Sequence, residues 1–234
     1  MKKPISIVWF RKDLRLTDNL AFYGAANCSD ILPIYIFDDL DVQGSASNVW
    51  LNHSLAALDN SLDQRLNVYH GKSDEIIDRL IAQYAVKQIF MNICYEPEMR
   101  LQEQKVRKIC DKHNVVLNNS SSNYLQKPEV LLKNDGTPYK VFTPFKKRLQ
   151  QLNLRSLVPK PHVYSCIKDP NAAHIFIKPT GWALKVISNW TPGENAAQIV
   201  LKEFICNGLK GYGSSRNMVA EKHISRLSPY LHFG

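Results

Sequence analysis

The chain has 234 residues, of which 44% are hydrophobic, and it carries a formal net charge of +9 at pH 7. This length allows one large domain, or one domain and part of another, and no apolar run approaches the roughly 20 residues of a membrane-spanning helix. The five cysteines are scattered and never two residues apart, which indicates neither a disulfide framework nor a zinc site. We therefore expect a soluble, cytoplasmic protein without a metal centre, and no signal peptide is recognisable.

The charge is unevenly distributed along the chain. Residues 1–124 contain 14 Lys and Arg against 15 Asp and Glu, a net charge of −1, whereas residues 125–234 contain 16 against 6, a net charge of +10. A polyanion such as DNA is attracted to a basic surface because its binding releases condensed counterions. A basic surface that only promotes solubility would have the same composition, so charge alone leaves both interpretations open.

Short apolar runs alternate with amphipathic segments in the first 124 residues. The predicted strands occupy residues 5–10, 31–37, 67–70, 88–93 and 115–118. The predicted helices occupy residues 20–26, 47–65, a segment that begins at Ser73, and 97–113. Strands that alternate with helices of this length imply a parallel sheet with right-handed crossovers. We therefore predict the α/β fold class, with a Rossmann-like, open, parallel, five-stranded sheet and flanking helices.

Single residues mark the ends of these elements. Asp18 or Asn19 can cap the helix over residues 20–26 through a side-chain oxygen. Pro97 suits the first turn of a helix. Pro33 is unusual inside a strand because proline lacks the backbone N–H that a sheet ladder uses.

The pattern changes after residue 124. Residues 156–181 are kept extended and irregular by four prolines, at positions 159, 161, 170 and 179. Such a stretch is too long for a loop inside one compact domain and favours an interdomain connector. Helical periodicity returns over residues 194–205, after the turn at Pro192 and Gly193.

Several familiar catalytic and cofactor motifs are missing from the sequence. No G-x-G-x-x-G follows the first strand, which argues against a nicotinamide dehydrogenase. No P-loop or G-x-S-x-G elbow is present, and the seven histidines lack metal-ligand spacing. Composition and motifs therefore name no catalytic residue.

Two groups of residues have competing explanations. Glu96 and Glu98 follow the fourth strand, at the sheet edge where ligands of open α/β folds bind. Negative charge at a helix start also compensates the helix dipole without any ligand, and we favour this explanation. The four tryptophans could stack on a flavin, but large aromatic side chains more often fill cores, and we expect that for Trp9, Trp50, Trp182 and Trp190.

The basic segment from Lys210 to Gly234 contains two donor-rich turns. Tyr212 to Arg216 and Ser225 to Ser228 lie about a dozen residues apart, a spacing that fits one short helix between them. Hydroxyls, guanidinium groups and helix-start N–H groups bind phosphate. The pattern is also typical of a polar helix-turn-helix surface without a ligand.

Three ordered stretches resemble the photolyase and cryptochrome family. They are VWFRKDLRL at residues 8–16 with Asp18 and Asn19, YKVFTPF at residues 139–145, and WTPGE at residues 190–194 with SRLSPYL at residues 225–231. The resemblance covers the whole chain in the family's order. It implies a light-harvesting (antenna) α/β domain over residues 1–124, a connector over 125–190, and the start of an all-helical, FAD-binding domain over 191–234.

The resemblance also implies site residues. The FAD-contacting positions match Tyr212, Ile224, Ser225, Arg226, Leu227 and Ser228. Arg216 matches a residue that contacts DNA, and Ile224 stands where the family usually has threonine. Residues 95–100 depart from the family's folate pattern, which argues against a folate antenna. A deazaflavin, another chromophore or none stays compatible.

The activity implied by the resemblance is light-driven, FAD-dependent repair of pyrimidine dimers in UV-damaged DNA. The family's catalytic residues lie beyond the region matched, so we expect none in this chain. We expect the chain to need a C-terminal half for activity. A cryptochrome-like photoreceptor and a stand-alone nucleotide-binding α/β domain are the alternatives.

Overall fold

The computed structural model describes residues 4–40, 44–173, 181–218 and 223–234. Its centre is a parallel five-stranded sheet in the order β3-β2-β1-β4-β5. The strands are β1 (Ile5–Phe10), β2 (Asp30–Phe37), β3 (Asn67–His70), β4 (Val86–Asn92) and β5 (Val116–Ser120). The predicted fold class and sheet are confirmed.

Helices cover both faces of the sheet and continue beyond it. They are α1 (Leu20–Ala26), α2 (Ser45–Ser61), α3 (Ser73–Gln83), α4 (Pro97–His113), α5 (Phe142–Gln150), α6 (Trp182–Ile187), α7 (Glu194–Glu203), α8 (Tyr212–Ser215) and α9 (Ser228–Phe233). A π-turn (Phe204–Gly208) and a 3₁₀ turn (Leu209–Gly211) link α7 to α8.

Strand β1 lies between two hydrophobic cores. Val8 and Phe10 face α1, α2 and α9, whereas Ile7 and Trp9 face α3 and α4. Successive side chains of a strand point to opposite faces, so a strand buried on both faces is mostly apolar, and its polar residue, Ser6, is hydrogen-bonded to Ser29 at 2.8 Å. This is why the run over residues 5–10 shows no polar alternation.

Element ends follow local chemistry. The Asn19 side chain accepts from the backbone N–H of Phe22 at 3.1 Å, so Asn19 caps α1, while Asp18 adopts a left-handed conformation and binds elsewhere. Helix α4 begins at Pro97, as predicted, and ends before Asn114, which is also left-handed. Strand β3 pairs with β2 only from Ile34 onward, so Pro33 occupies a point of β2 that has no β3 partner.

Some predicted bounds were wrong by a few residues. Strand β4 begins two residues before the predicted start, at Val86. Helix α2 begins two residues before its predicted start and ends at Ser61, because Asp63 and Gln64 adopt positive φ angles that end a helix. Helix α7 ends at Glu203 and continues as the π-turn.

The connector lies against the open part of β2. Ile31 donates to the carbonyl of Ser165 at 2.8 Å and accepts from Ile167 at 2.7 Å. Ala173 then donates to Val68 of β3 at 2.8 Å. The described part of the predicted irregular stretch has no helix or strand, only isolated bridges at Cys166 and Ala173; its residues 174–180 lie outside the described residues. The domain bounds at 124 and 190 stay predictions.

Asp169 fastens the connector to the sheet. Its Oδ2 accepts the Tyr69 hydroxyl at 2.7 Å, and its backbone N–H donates to Asn67 Oδ1 at 2.7 Å. Burial acts to raise the pKa of Asp169, but hydrogen bonds, first from Tyr69 and then from the Asn171 N–H, outweigh it and lower the pKa below 3.8.

Replacing this carboxylate should weaken the fold in a pH-dependent way. We expect Asp169→Asn to lower the free energy of unfolding by about 1.5 kcal/mol at pH 7. A carboxyl with a lowered folded-state pKa stabilises above its unfolded pKa and loses that effect as pH falls through its folded pKa. The difference from wild type should therefore shrink below about pH 4. Urea unfolding at pH 7 and pH 3 checks this, with exposed Asp111→Asn as the control; a pH-independent difference would refute it.

Candidate cofactor site and domain junction

The carboxyl ends of β1 and β4 meet where the strand order reverses. Open α/β folds commonly bind ligands in the crevice at this position. In this chain the Arg11 guanidinium is buried there and donates to the carbonyl of Asn92 at 2.5 Å and to that of Met99 at 3.4 Å. The side chain therefore ties β1 to the loop and helix that follow β4.

A buried polar network completes this crevice. Asp13 accepts the Arg11 backbone N–H at 2.7 Å, the Asn92 amide at 2.6 Å and the Asn19 amide at 3.2 Å. The Ser122 hydroxyl donates to Asn92 Oδ1 at 2.6 Å. The chain's own side chains thus occupy the position where a dinucleotide fold binds pyrophosphate, which agrees with the missing glycine motif.

Glu96 and Glu98 lie where the sequence predicted, at the start of α4. Glu96 is the N-cap residue but its side chain makes no capping hydrogen bond, and Glu98 is exposed in the first turn. Of the tryptophans, Trp9 and Trp50 are buried as predicted. The prediction was wrong for Trp182, which is exposed on α6.

Glu194 joins the helical segment to the α/β domain. Its two carboxylate oxygens accept the backbone N–H groups of Leu16 at 2.8 Å and Thr17 at 3.0 Å. Nearby, the N–H of Leu14 donates to the Phe233 carbonyl at 2.8 Å. Two stretches of the family resemblance, residues 8–16 and 190–194, therefore contact each other directly.

Asp18 joins the connector to the same loop. The Arg155 guanidinium donates to both carboxylate oxygens, at 2.5 and 2.8 Å, and the Val158 N–H donates at 3.2 Å. Burial acts to raise the pKa of Asp18, but the Arg155 hydrogen bonds outweigh it and lower the pKa. The residues predicted as possible caps thus divide their roles: Asn19 caps α1 and Asp18 holds the connector.

A cavity of about 940 Å³ lies between α7, the π-turn and the segment that begins at His223. Its apolar wall includes Trp190, Ile199 and Phe204. Its polar lining comprises Asn189, Thr191, Glu203, Asn207, His223, Ser225 and Arg226. The volume falls within the roughly 300–1,000 Å³ typical of small-molecule sites.

Arg226, in the polar lining of the cavity, has an unusual backbone conformation. Its φ angle is +54°, in the left-handed region that non-glycine residues rarely adopt. The guanidinium lies 4.1 Å from the centre of the Trp190 ring and donates to the Asn189 carbonyl at 3.5 Å. Trp190 in turn packs edge-on against buried Trp50, and both contact Tyr230. An aromatic cluster therefore supports the cationic side chain.

The structure brings some predicted site residues together and separates others. Ile224, Ser225 and Arg226 line the cavity. Tyr212 lies outside it, packs edge-on against Phe204 and has the Arg216 guanidinium 5.8 Å from its ring centre. Leu227 packs on the core beside the cavity, and Ser228 begins α9. The helix predicted between the two donor-rich turns includes residues 219–222, which lie outside the described residues.

The arrangement fits a flavin dinucleotide chemically. Trp190 and Phe204 offer aromatic surface, while the Ser225 hydroxyl and the Arg226 guanidinium are donors suited to phosphate. Sequence reasoning weighed Trp190 as a flavin contact but favoured a core role for it, and it missed the wall residues Phe204 and His223. Only Trp190 carried a signal, since it begins the WTPGE stretch.

Metal and membrane features are absent from the described ranges. Residues 4–40, 44–173, 181–218 and 223–234 contain no group of three or more His, Cys, Asp and Glu side chains that could hold a metal ion. No helix within these ranges is both long and apolar enough to cross a membrane.

The architecture is that of a Rossmann-like α/β domain that continues through a connector into a helical segment. The model of the DNA photolyase family matches residues 6–163. The chain therefore belongs to the DNA photolyase family.

Relatives and solved structures agree with this assignment. A deoxyribodipyrimidine photo-lyase of Agrobacterium fabrum is 34% identical over 100% of the chain and 51% of the relative. Cryptochrome-2 of Arabidopsis thaliana is 28% identical over 98% of the chain and 40% of the relative. The crystal structure of a class III photolyase from Agrobacterium tumefaciens superposes with a TM-score of 0.90 at 31% identity, over 99% of the chain and 50% of that protein. The chain thus spans about half the length of these proteins.

Proposed function

We propose that the chain is the N-terminal part of a light-driven, FAD-dependent DNA photolyase that repairs UV-induced pyrimidine dimers. The main support is the cavity wall on which Ser225 and Arg226 stand beside Trp190. This wall combines both parts of the third stretch that resembles the family, residues 190–194 and 225–231. Relatives named as photo-lyases align with 97–100% of the chain.

The proposed cofactor contacts come from one wall. Ser225 and Arg226 would bind the FAD diphosphate, because hydroxyl and guanidinium groups donate well to phosphate oxygens. Tyr212, which packs on Phe204 outside the cavity, would contact the part of the cofactor that extends past that ring, and Ile224, Leu227 and Ser228 would contribute through their backbone. When bound, FAD supplies light absorption and one-electron donation, which protein side chains lack.

DNA is the proposed macromolecular partner. Arg216 is exposed on the same face as Tyr212, so its guanidinium can reach a phosphate backbone. Helix α5 adds Lys146, Lys147 and Arg148 in succession, within the half of the chain that carries a net charge of +10. Neutralising several phosphates should make DNA binding weaken steeply as salt rises.

A C-terminal half is the second proposed partner. Ile199 on the cavity wall is 67% exposed, and Phe142 on α5 is 72% exposed. Ile205 and Leu209, further along the same helical stretch as Ile199, are also more than half exposed, and several large apolar side chains exposed along one stretch favour contact with another protein surface. We propose that further helices cover α5 and α7 and close the cavity, so that the 234 residues alone bind FAD weakly and do not repair DNA.

Titration of the purified chain with FAD tests the cofactor proposal. We expect weak, saturable binding that Arg226→Ala weakens about tenfold, as expected from the loss of a charged hydrogen bond worth about 1.4 kcal/mol. Arg65→Ala, a substitution of an exposed arginine far from the cavity, changes the net charge equally and should leave affinity unchanged. Absence of binding at millimolar FAD, or equal effects of both variants, would contradict the proposal.

A repair assay tests the activity. The chain extended by a C-terminal half should restore a dimer-containing oligonucleotide in blue light and not in the dark. A protein that binds FAD but restores nothing would favour the cryptochrome-like photoreceptor, which is also named among the relatives.

A further inference from the structure

Residues 223–228, here called the wall segment, include the cavity-lining residues Ser225 and Arg226. Contacts hold this segment both before and after Ser225. On the later side, Arg226 stacks on Trp190, and the Tyr230 hydroxyl donates to the Thr191 carbonyl at 3.0 Å. On the earlier side, His223 packs on the turns that link α7 to α8.

His223 bonds to the π-turn. Its Nδ1 lies 3.2 Å from the carbonyl oxygen of Gly208, the last residue of that turn. A carbonyl oxygen only accepts hydrogen bonds, so Nδ1 must carry the proton in this contact. Gly208 is buried, and π-turns within helices often mark functional positions.

Gly211 provides the space for the imidazole ring. A Cβ atom built on Gly211 would overlap the Cε1, Nδ1 and Nε2 atoms of His223. The backbone of Gly211, with φ −90° and ψ −5°, is open to any residue. The need for glycine at this position therefore comes from the ring of His223 and not from the backbone conformation.

We propose that His223 is a positioning residue whose ring, seated over Gly211 and bonded to Gly208, holds the wall segment so that Ser225 and Arg226 face the cavity. Its effect on FAD affinity rests on the function proposed above. The ring acts through the backbone and needs no contact with the cofactor. The wall is thereby preorganised, which lowers the ordering cost of binding.

Hydrogen exchange of the intact chain tests the contact without any ligand. We expect His223→Ala to accelerate exchange of the amides of Leu227 and Leu231 about tenfold, because these N–H groups donate to Ser225 Oγ and to the Leu227 carbonyl and local opening of the segment becomes easier. Gly211→Ala should do the same by displacing the ring. The double variant should be no worse than the more severe single variant, since the added methyl group meets no ring. Additive effects, or unchanged exchange, would overturn the proposal.

A conservative variant separates positioning from general stability. Asn can place its Nδ2 donor near the Nδ1 position of His, so His223→Asn should recover part of the exchange protection. FAD affinity should fall about fivefold in His223→Ala and less in His223→Asn. The midpoint of thermal unfolding of His223→Ala should stay near that of the control variant His162→Ala, which changes an exposed histidine. FAD binding that is equal in wild type and His223→Ala would overturn the positioning role. Altered exchange with no FAD binding even in wild type would support the positioning role and refute the cofactor proposal instead.

Discussion

Replacing Asn92 with aspartate should lower the free energy of unfolding by about 3–5 kcal/mol at pH 7. Asn92 is 1% exposed, and its amide donates to Asp13 Oδ2 at 2.6 Å and to Asn19 Oδ1 at 2.8 Å. An aspartate there would set a second carboxylate against Asp13 and remove the donor that both partners need. Buried like charges at this distance cannot both stay ionised without a large cost.

The pH dependence distinguishes charge repulsion from loss of packing. Protonation of the introduced carboxyl as pH falls would turn the repulsion into a hydrogen bond, so the difference from wild type should shrink at lower pH. Urea unfolding monitored by circular dichroism at pH 7 and pH 4.5 checks this. Asn153→Asp, which adds the same charge in an exposed loop, should change stability by less than about 0.5 kcal/mol. An Asn92→Asp variant as stable as this control would disprove the role given to the network.

The sheet could be predicted from sequence because its signals are local. The apolar run of β1 shows burial on both faces, and Pro97 with Asn114 marks the bounds of α4. Ends that depend on tertiary contacts were less predictable. Helix α2 ends early because the side chain of Asp59 accepts the N–H of Leu66, seven residues later, which stabilises the turn between them.

The polar junctions could not be predicted from residue types alone. Asp13 and Asn92 are 79 residues apart, and Glu194 lies 178 residues from Leu16. Asp13 and Asn92 meet only because the parallel register of β1 and β4 brings the strand ends together, and Glu194 meets Leu16 only because α7 packs against the loop after β1. The family resemblance identified these stretches but did not explain why they contain these residues. The hydrogen bonds across the junctions explain it.

The cofactor wall was predicted in part. The resemblance placed Ile224, Ser225 and Arg226 in one segment, and these three line one cavity. No sequence signal distinguishes the π-turn at Phe204–Gly208 from the end of α7, so the contact of His223 with this turn could not be predicted. The position of the cavity wall depends on the junction between Glu194, the first residue of α7, and the backbone of Leu16 and Thr17.

Replacing Glu194 with alanine should detach the cavity wall from the α/β domain and lower the free energy of unfolding by about 3 kcal/mol. Two backbone N–H groups lose a charged acceptor, and each such bond contributes about 1.5 kcal/mol or more. Helix α7 also loses the negative charge in its first turn, which acts favourably on the helix dipole. Glu194→Gln keeps one acceptor oxygen and should lose about half as much.

Two measurements separate a junction role from general stabilisation. Urea unfolding gives the free energy, and hydrogen exchange should accelerate over residues 181–218 and 223–234 more than over residues 5–120. Glu98→Ala, in the exposed first turn of α4, removes an equal charge from a helix start without touching Leu16, Thr17 or the cavity and should leave both measurements near wild type. If exchange rises uniformly in Glu194→Ala, the carboxylate supports the whole fold and does not specifically couple the wall to the sheet. A selective rise would show that the contact between residues 190–194 and the loop after β1 sets where the cavity wall stands relative to the α/β domain.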